Sequence, residues 1–385
     1  MKKQKICIIG DGLAGLTTAI TLSKLNFDID LVTQNIDRNT NSNRTVAISQ
    51  NNLDFLKKLN IFDVRKKNFW PCSKIKLYSE IKKNKFPEIF ELNNNYKQKK
   101  ILYLLENSIL RKYMIKKIKK IKSISVKRNK YISRIISSKF LKKIKFASKP
   151  SQYNLIIICT GNNSNLIQDI FPKESLEYSY EETAITTILD HSSIENNVAR
   201  QIFLEDEIIA LLPLSRKKTS VVWTVKKKLL KKDNVLIKKR IKFFTKDFFT
   251  KIEFPTNIEY KDLSFLIRNK YYQERILLFG DALHVVHPFA GQGFNMILRD
   301  LSCLKKILLK KSNLGLDIGS SDTLSEFSDK TKPRNFIYSM GIDVLKNSFS
   351  LKNQFFKERR DYILKMLNNN NFTKKIFYDL ANGRF

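Results

Sequence analysis

Uninterrupted hydrophobic stretches and glycines alternate at the start of the chain. Residues 5–9 form a short apolar run, residues 10–15 contain three glycines, and residues 16–25 repeat their apolar positions with a helical period. A second apolar run covers residues 27–33. The order of strand, tight turn, helix and strand predicts a βαβ unit, which places the two strands parallel in one sheet.

Two later runs have the same character as the first strand. Residues 153–159 are almost wholly apolar and end in Thr160-Gly161, and residues 275–279 lead into Gly280-Asp281. Strands that are apolar on both faces are typical of parallel sheets covered by helices. Periodicity predicts the other elements, which are helices over 50–62, 103–121 and 235–250, strands over 73–92, a helix plus hairpin strands over 116–147, several strands over 176–264, and helices from 293 to the end.

The first chemical signal is Gly10-x-Gly12-x-x-Gly15, with Leu13 and Ala14 between the glycines. Placed between a strand and a helix, this spacing allows a tight turn, close approach of the backbone to a pyrophosphate, and close helix packing. The helix N-terminus adds free amides and a positive dipole. The motif therefore predicts a dinucleotide site. The acidic residue that usually binds the ribose is missing, because Thr33-Gln34 stands at its place.

The second signal covers residues 280–300, which read Gly-Asp-Ala-Leu-His-Val-Val-His-Pro-Phe-Ala-Gly-Gln-Gly-Phe-Asn before Asp300. A strand would deliver Asp281 to accept a hydrogen bond from a ribitol hydroxyl. The turn of residues 291–293 would open a helix whose free amides suit the pyrimidine edge of a flavin. A metal site at Asp281, His284 and His287 is disfavoured because Pro288 breaks the helix that would align them. Both histidines are more typical of packing and hydrogen bonding.

These two motifs resemble those of flavoprotein aromatic hydroxylases of the p-hydroxybenzoate hydroxylase type. Within that superfamily the chain is most similar to the ubiquinone-biosynthesis hydroxylases that act on polyprenylated phenols. Arg44-x-x-Ala47-Ile48-Ser49 resembles the arginine segment of that branch. Residues 210–214 (Ala-Leu-Leu-Pro-Leu) and 220–224 (Ser-Val-Val-Trp-Thr) resemble its mid-chain strand pair.

The resemblance implies an α/β fold, in which a Rossmann-like FAD-binding domain is interrupted by a β-sheet-rich substrate domain and followed by a helical C-terminal region. We expect the FAD-binding domain to comprise residues 1–72, 98–170 and 265–320. The substrate domain would comprise 73–97 and 171–264, and the C-terminal helical region 321–385.

The resemblance also implies which residues hold the cofactor. Gly10, Gly12 and Gly15, with Leu13 and Ala14, would hold the FAD pyrophosphate. Arg44 would contact the phosphate or ribose region, although one more surface cation is the alternative. Glu106 would contact the flavin or simply stand at a helix N-terminus. Asp281 would bind ribitol. The border of the isoalloxazine would consist of Pro288, Ala290, Gly291, Gln292, Gly293 and Asn295. No catalytic base is nominated by the sequence.

The implied reaction is hydroxylation of a phenol ring. Reduced FAD would react with O2 to give a flavin hydroperoxide, which transfers one oxygen to the ring of a lipid-tailed phenol. NADH or NADPH is the expected reductant. One departure leaves a separate electron donor open, since Thr160 stands where the family usually has an aspartate before Gly161. Trp223, Leu212 and Pro213 are candidates for the substrate cavity, but a sheet core explains them equally well.

Charge and cysteine content bear on partners and location. The net charge is +36, yet 56 of the 72 basic residues are lysine and only 16 arginine, a balance that disfavours nucleic-acid recognition. Contact with an anionic membrane surface or with other ubiquinone-biosynthesis proteins remains open. Four cysteines without CxxC spacing are typical of reduced core thiols. The first apolar run is too short for a signal-peptide core. These features predict a cytoplasmic protein and leave open whether it is peripheral at the inner face of the membrane.

Two other functions stay open at this point. One is a related flavoenzyme, such as a hydroxylase of another aromatic compound or an isoprenoid reductase. The other is a non-catalytic basic scaffold that retains a flavin-binding fold, which the departures at Thr160 and Thr33 favour and the intact 280–300 segment opposes. A flavin halogenase is disfavoured because the two tryptophans, Trp70 and Trp223, do not form a paired motif.

Overall fold

The computed structural model describes residues 3–37, 42–62, 69–80, 85–93, 100–128, 132–137, 141–146, 150–162, 165–171, 175–288, 291–349 and 354–368. Strands and helices follow in mixed order along the chain. The strands are β1 (Lys5–Ile9), β2 (Asp28–Thr33), β3 (Thr45–Ser49), β4 (Trp70–Cys72), β5 (Lys74–Ser79), β6 (Glu88–Asn93), β7 (Leu102–Glu106), β8 (Ile124–Arg128), β9 (Ile132–Ser137), β10 (Lys142–Phe146), β11 (Pro150–Tyr153), β12 (Leu155–Ile158), β13 (Ser175–Asp190), β14 (Val198–Phe203), β15 (Glu207–Pro213), β16 (Lys218–Lys226), β17 (Glu259–Arg268), β18 (Tyr272–Gln273), β19 (Ile276–Leu278) and β20 (His284–Val285). The α-helices are α1 (Leu13–Leu22), α2 (Gln50–Lys58), α3 (Asn107–Ile118), α4 (Asn165–Ile170), α5 (Asn234–Thr245), α6 (Gly293–Asn313), α7 (Ser321–Phe349) and α8 (Gln354–Asn368).

A six-stranded sheet carries the first glycine turn. Its order is β18–β19–β12–β1–β2–β8, and every neighbouring pair is parallel except β18 with β19. The central strands are apolar on both faces because helices α1, α3 and α6 pack against them in one buried cluster. The predicted α/β fold with a Rossmann-like domain is therefore confirmed.

The second large sheet of the structure has eight strands. Its order is β20–β17–β13–β16–β15–β14–β5–β6, antiparallel apart from the β14–β5 pair. Period-two alternation gives it two apolar faces. One face packs on α5, and the opposite face packs partly on α7 and α8. The strand-rich region expected from the alternating pattern is thus present.

Two strand assignments differ from the periodicity prediction. Residues 102–106 form strand β7, and the helix predicted over 103–121 begins at residue 107 and ends at residue 118. β7 pairs with β3 and β4 in a small antiparallel sheet, so a short apolar run that suits either structure becomes a strand by tertiary pairing. Strand β8 joins the six-stranded sheet beside β2, while β9, β10 and β11 form a separate meander.

The strands are distributed over the chain in blocks. The six-stranded sheet takes strands from residues 5–33, 124–128, 155–158 and 272–278. The eight-stranded sheet takes residues 74–93 and 175–268, with the two residues of β20 added at its edge. Helices α7 and α8 follow, and residues 369–385 lie outside the described part. The exact domain boundaries stay a prediction.

The carboxylate of Asp30 is buried in the middle of the parallel sheet. Tyr153 Oη donates a hydrogen bond of 2.8 Å to Asp30 Oδ2, and Lys5 Nζ lies 2.8 Å from the same oxygen. A buried carboxylate is tolerated only when it is paired and hydrogen-bonded. These two contacts therefore join β2 to its neighbour β1 and to β11 of the three-stranded sheet.

We predict that Tyr153→Phe lowers the free energy of unfolding by about 1.5–3 kcal/mol, because a buried hydrogen bond to a charged group is lost. Urea denaturation monitored by circular dichroism measures the change. Tyr362→Phe is the matched control, since Tyr362 is 63% exposed, and it is expected to change the free energy by about 0.5 kcal/mol or less. Equal effects of the two substitutions would contradict this account of Asp30.

Candidate functional site

The glycine turn after β1 brings three backbone segments into contact. Gly10 has φ +111°, and a Cβ there would lie 2.5 Å from the carbonyl oxygen of Cys159 at the end of β12. A Cβ on Gly15 would overlap the carbonyl oxygen of Gly10. Gly280 has φ +69°, and its Cβ would lie 2.7 Å from Ala14. These glycines are therefore required by close approach and backbone conformation.

Gly12 is different, because its missing side chain leaves open space. A Cβ on Gly12 would meet no atom within 4 Å, and its φ of −68° and ψ of 175° suit any residue. The open side belongs to a cavity of about 820 Å³, also lined by Gly10, Leu13, Ala14 and Thr33. Residue 12 therefore exposes its backbone to this cavity, although neither packing nor backbone conformation requires a glycine there.

Helix α1 points its N-terminus at the same cavity. Gly12 is its N-cap residue, no side chain caps it, and no acidic residue occupies its first turn. The first-turn amides of a helix have no acceptor within the helix and carry the positive end of its dipole. With Gly12 bare, an anionic group can approach these amides closely. This arrangement fits a pyrophosphate.

Thr33 stands at the end of β2, where the sequence lacks the expected acid. The residue lines the cavity, but its hydroxyl oxygen is buried inside the protein and has no hydrogen-bond partner among the described atoms. No carboxylate therefore stands at the end of β2 to accept from a ribose hydroxyl. The fit to FAD depends on the bare Gly12 and the uncapped N-terminus of α1.

The far side of the cavity carries both signs of charge. Arg44 and Asp281 line it, and both side chains are exposed. Lys261 of β17 lies close to them, and sequence reasoning missed it. Partial desolvation and the Arg44 guanidinium lower the pKa of Lys261, while the Asp281 carboxylate opposes this. No motif pointed to Lys261, because a distant strand of the other sheet delivers it.

The second motif forms a tight junction between α6 and β3. Gly291 has φ +64°, and a Cβ there would lie 2.9 Å from the Cβ of Ala47. Asn295 Oδ1 accepts hydrogen bonds from Ser49 N at 3.0 Å and from Asn52 Nδ2 at 2.9 Å. Asn295 Nδ2 donates to Ala47 O at 2.8 Å. The amide of Asn295 therefore fixes the start of α6 against β3 and α2.

Other predicted residues of this segment lie as follows. Gln292 caps α6, is buried, and accepts a 2.8 Å hydrogen bond from Tyr338 Oη. Gly293 opens the helix with open space where a Cβ would stand. Pro288 is half-buried and accepts from Gly291 N at 3.2 Å. Ala290 lies outside the described residues. Glu106 is the half-buried N-cap residue of α3, and its neighbour Asn107 lines the cavity.

Both histidines of the motif are buried and hydrogen-bonded. His284 Nε2 lies 3.0 Å from Asp300 Oδ2, which also accepts from Asn335 Nδ2 at 2.7 Å. His287 Nε2 lies 3.2 Å from Glu182 Oε2, and Lys346 Nζ lies 2.7 Å from Glu182 Oε1. These contacts join the motif to α6, α7 and β13.

The charges of the buried cluster of His287, Glu182 and Lys346 balance each other. Burial lowers the pKa of His287, and its contact with Glu182 opposes this, so the imidazole is neutral at neutral pH. Burial raises the pKa of Glu182, but the hydrogen bonds from His287 and Lys346 outweigh burial and hold that pKa below its ordinary value. Across the described part of the chain, no group of three or more acidic, histidine or cysteine side chains is placed to hold a metal ion.

The eight-stranded sheet presents an apolar wall toward this junction. Ala210, Leu212 and Val222 are half-buried on the face opposite α5, and Ala210 pairs directly with Val222. Leu212 packs in the same cluster as Ala47, which contacts Gly291 and Asn295. This wall therefore adjoins the segment that would border the flavin ring.

Trp223 and Pro213 take no part in the wall. Trp223 lies on the α5 face, is 2% exposed, and donates through Nε1 to Glu207 Oε2 at 3.1 Å. Pro213 is buried. Leu212, Trp223 and Pro213 are the three candidates for the substrate cavity. Of these, only Leu212 has its side chain on the sheet face opposite α5.

A family model described as the FAD binding domain matches residues 154–323. The matched segment contains β12, the whole eight-stranded sheet except β5 and β6, and the motif at α6. The match agrees with the fit of Gly12 and the α1 N-terminus to FAD.

Individual relatives carry the same chemistry in their names. The chain is 23% identical to the ubiquinone biosynthesis monooxygenase COQ6 of Dictyostelium discoideum over 98% of this chain and 91% of that protein. It is 30% identical to the ubiquinone hydroxylase UbiL of Rhodospirillum rubrum over 44% of this chain and 41% of that protein. The solved structure of p-nitrophenol 4-monooxygenase PnpA from Pseudomonas putida superimposes on all of both chains with a TM-score of 0.79 at 14% identity, and so shares the fold.

We predict that Gly12→Val abolishes FAD binding without disturbing the fold. The valine side chain enters open space with an allowed backbone conformation, and the lost charge-assisted hydrogen bonds weaken FAD binding about a hundredfold or more. Flavin fluorescence titration measures the affinity and thermal unfolding of the apoprotein measures the stability.

Gly10→Ala is the matched comparison. Its Cβ meets backbone in a left-handed conformation, so it is expected to cost roughly 2–4 kcal/mol of stability in the apoprotein itself. A folded Gly12→Val protein that binds FAD as tightly as wild type would contradict the location of the pyrophosphate.

Proposed function

We propose that this chain, which belongs to the FAD-dependent hydroxylase family of ubiquinone biosynthesis, hydroxylates the aromatic ring of a polyprenylated phenol. The observation that carries the proposal is the cavity at the α1 N-terminus, where Gly12 is bare and no side chain caps the helix. Both features suit the pyrophosphate of a dinucleotide.

The chain's own residues account for binding the cofactor. Gly10, Gly12 and the first-turn amides of Leu13, Ala14 and Gly15 would hold the FAD pyrophosphate, and the adenosine half would lie beside Thr33 at the end of β2. Arg44 and Lys261 would neutralise the phosphates, and Asp281 would accept from a ribitol hydroxyl. Bound FAD supplies the activation of O2, so that one oxygen atom enters the ring and the other leaves as water with two electrons from a reductant.

The remaining residues orient the substrate and exclude water. Ala210, Leu212 and Val222 offer a small, apolar surface that suits an aromatic ring and the start of a prenyl tail. Asn295 and Gly291 hold the start of α6 against β3, which fixes the edge of the site. Lys346 Nζ balances the buried Glu182 carboxylate at 2.7 Å, and His287 holds the other carboxylate oxygen without adding charge. A dry, apolar site favours oxygen transfer over loss of the activated oxygen to water.

NADH or NADPH is the proposed reductant. Thr160 and Gly161 line the FAD cavity, where the resemblance suggests an aspartate in other members. Threonine retains a hydrogen-bonding side chain at this place but removes a charge. A protein electron donor is the alternative, and the reduction measurement below distinguishes the two.

The substrate's lipid tail implies contact with a membrane surface. Among the described residues no helix combines the length and hydrophobicity that a bilayer crossing requires. Leu229, in the turn before α5, is 47% exposed, and Val235 and Leu236, in the first turn of α5, are 64% and 41% exposed. Lysines follow and precede them at 227, 228, 231, 232, 238 and 239. Exposed apolar side chains among lysines suit the headgroup region of an anionic membrane, so we propose that the protein is peripheral at the cytoplasmic face of such a membrane.

The function is tested with FAD-loaded protein, a short-chain prenylphenol, NADH or NADPH, and O2. We expect anaerobic bleaching of the flavin that the phenol accelerates, and a product with one added oxygen by mass spectrometry. Ala210→Phe should leave FAD content unchanged while lowering kcat/KM about tenfold or more, because it fills the apolar wall. Val235→Phe, on the exposed side of α5, is the control for the same type of change.

Two results would decide against parts of this proposal. Bleaching by dithionite but by neither nucleotide would replace NAD(P)H by a separate donor. Tight FAD binding without any hydroxylated product from polyprenylated or other phenols would remove the monooxygenase function and favour a scaffold.

Membrane contact is tested by vesicle sedimentation. Val235→Asp with Leu236→Asp should reduce binding to vesicles that contain phosphatidylglycerol by about tenfold, because charged side chains leave the interface. Leu314→Asp is the control, since Leu314 is 63% exposed but lies between α6 and α7. Equal binding of all three proteins would contradict the α5 surface.

A further inference from the structure

A second cavity lies on the side of α6 that faces away from the FAD cavity. It has a volume of about 660 Å³ and is bounded by α2, α6 and α7. This volume falls within the range of small-molecule sites. Phe294 and Ile297 of α6 line the FAD cavity, while Arg299, Cys303 and Lys306 line this one. The two spaces are therefore separate.

The lining of the second cavity is strongly basic. Arg299, Lys306, Lys330 and Arg334 contribute to it, and the described residues that line it include no carboxylate. Lys330 is neutralised by Glu326, whose Oε1 lies 2.6 Å from Lys330 Nζ. For Arg299, Lys306 and Arg334, no acidic partner lies within ion-pair distance in the described part of the chain. Three cations thus share one concave space without a carboxylate in direct contact, and the buried Asp300 is the nearby negative charge that acts on Arg299.

The two arginines also carry unused hydrogen-bond donors. The Nε atoms of Arg299 and Arg334 are buried and have no hydrogen-bond partner among the described atoms. Arg299 is held in place by its Nη2 contact of 2.9 Å to Asn335 and by its position over the Tyr338 ring. Burial, reinforced by the neighbouring Arg334 charge and opposed by Asp300, lowers the pKa of Arg299. The buried Nε atoms face the protein interior, but an oxyanion in the cavity would relieve the mutual repulsion of the two guanidinium groups.

We propose that this cavity is a binding site for a phosphate-bearing anion of the size of a diphosphate or a phospholipid headgroup. Arginine forks and lysines recognise phosphate oxygens, and the hydroxyl of the neighbouring Ser302 is of a type that donates to the same atoms. Two sources share this chemistry, namely a free organic phosphate and an anionic lipid. The cavity lies apart from the α5 surface, but Gln292 and Asn295, which would border the flavin ring, also line it, so it adjoins the flavin end of the FAD site.

The cavity contains its own reporter. Cys303 lines it and is partly accessible, whereas Cys7, Cys72 and Cys159 are buried. Burial raises the pKa of Cys303 with help from Asp300, and Arg334, Lys330 and Lys306 oppose this. A thiol reagent will therefore label Cys303 in preference to the other three, and a ligand in the cavity will slow the labelling.

The experiment measures maleimide labelling of Cys303 in FAD-loaded protein, so that the dinucleotide site is filled. Inorganic pyrophosphate is the first probe, with sodium chloride of equal ionic strength as its control. The second probe is vesicles of equal parts phosphatidylcholine and phosphatidylglycerol, with pure phosphatidylcholine vesicles as control. Flavin absorbance reports FAD occupancy separately, so a failure to bind FAD is distinguished from a failure of this site.

Variants assign the protection to the cavity. In Lys306→Gln with Arg334→Gln, we expect the concentration of pyrophosphate for half-protection to rise about tenfold or more, because two charge-assisted contacts are lost. Lys305→Gln with Lys332→Gln removes the same charge from the same helices, outside the cavity lining, and should behave like wild type. Each variant is compared with itself with and without ligand, which cancels its effect on the basal thiol reactivity.

The outcomes separate as follows. Protection by pyrophosphate that the cavity variant loses supports a site for free phosphates. Protection by phosphatidylglycerol vesicles alone, again lost in the cavity variant, supports a lipid headgroup. No protection by either probe, or equal protection in the cavity variant and its control, overturns the proposal. Circular dichroism and thermal unfolding verify that both double variants are folded.

Discussion

The structure depends on the close approach of backbone segments at the end of β1. Gly10 touches the last carbonyl of β12, Gly15 touches Gly10, and Gly280 touches Ala14. At these places no side chain fits, so the parallel strands and α1 come together closely enough to direct the helix N-terminus into a cavity. Gly12 is not subject to this constraint, because a side chain there would contact no other part of the protein and would only enter the cavity. The difference between the packing glycines and Gly12 separates what the fold needs from what a dinucleotide needs.

A second constraint joins helix α6 to the small β3–β7–β4 sheet and, through Ala47, to the eight-stranded sheet. Asn295 uses its whole side-chain amide to fix α6 to β3 and α2, and Gly291 lets α6 approach Ala47. Ala47 in turn packs in the cluster that contains Leu212. A change at Asn295 would therefore move the end of the cofactor cavity relative to the apolar wall. This connection explains why a binding motif also performs structural work.

Sequence reasoning succeeded where a requirement is local. The glycine spacing, the buried strand runs and the turn at residues 291–293 reflect backbone geometry that neighbouring residues determine, and the α/β fold followed from them. It failed where packing decides between two local possibilities, since residues 102–106 become a strand through pairing with β3 and β4. Periodicity could not place Trp223 on the α5 face, because alternation defines two faces without saying which one meets the cofactor. Lys261 and the basic cavity on α6 arise from residues that no spacing relates.

The central claim is that the protein transfers one oxygen atom from O2 to a phenol ring, with FAD bound in the cavity and the ring held against the apolar wall. The most direct test supplies heavy-isotope dioxygen to the FAD-loaded protein with a reductant and a short-chain prenylphenol, and determines the mass of the product. The account predicts one labelled oxygen atom in a new ring hydroxyl. A product whose added oxygen comes from water, or consumption of O2 to peroxide with the phenol unchanged, would contradict it.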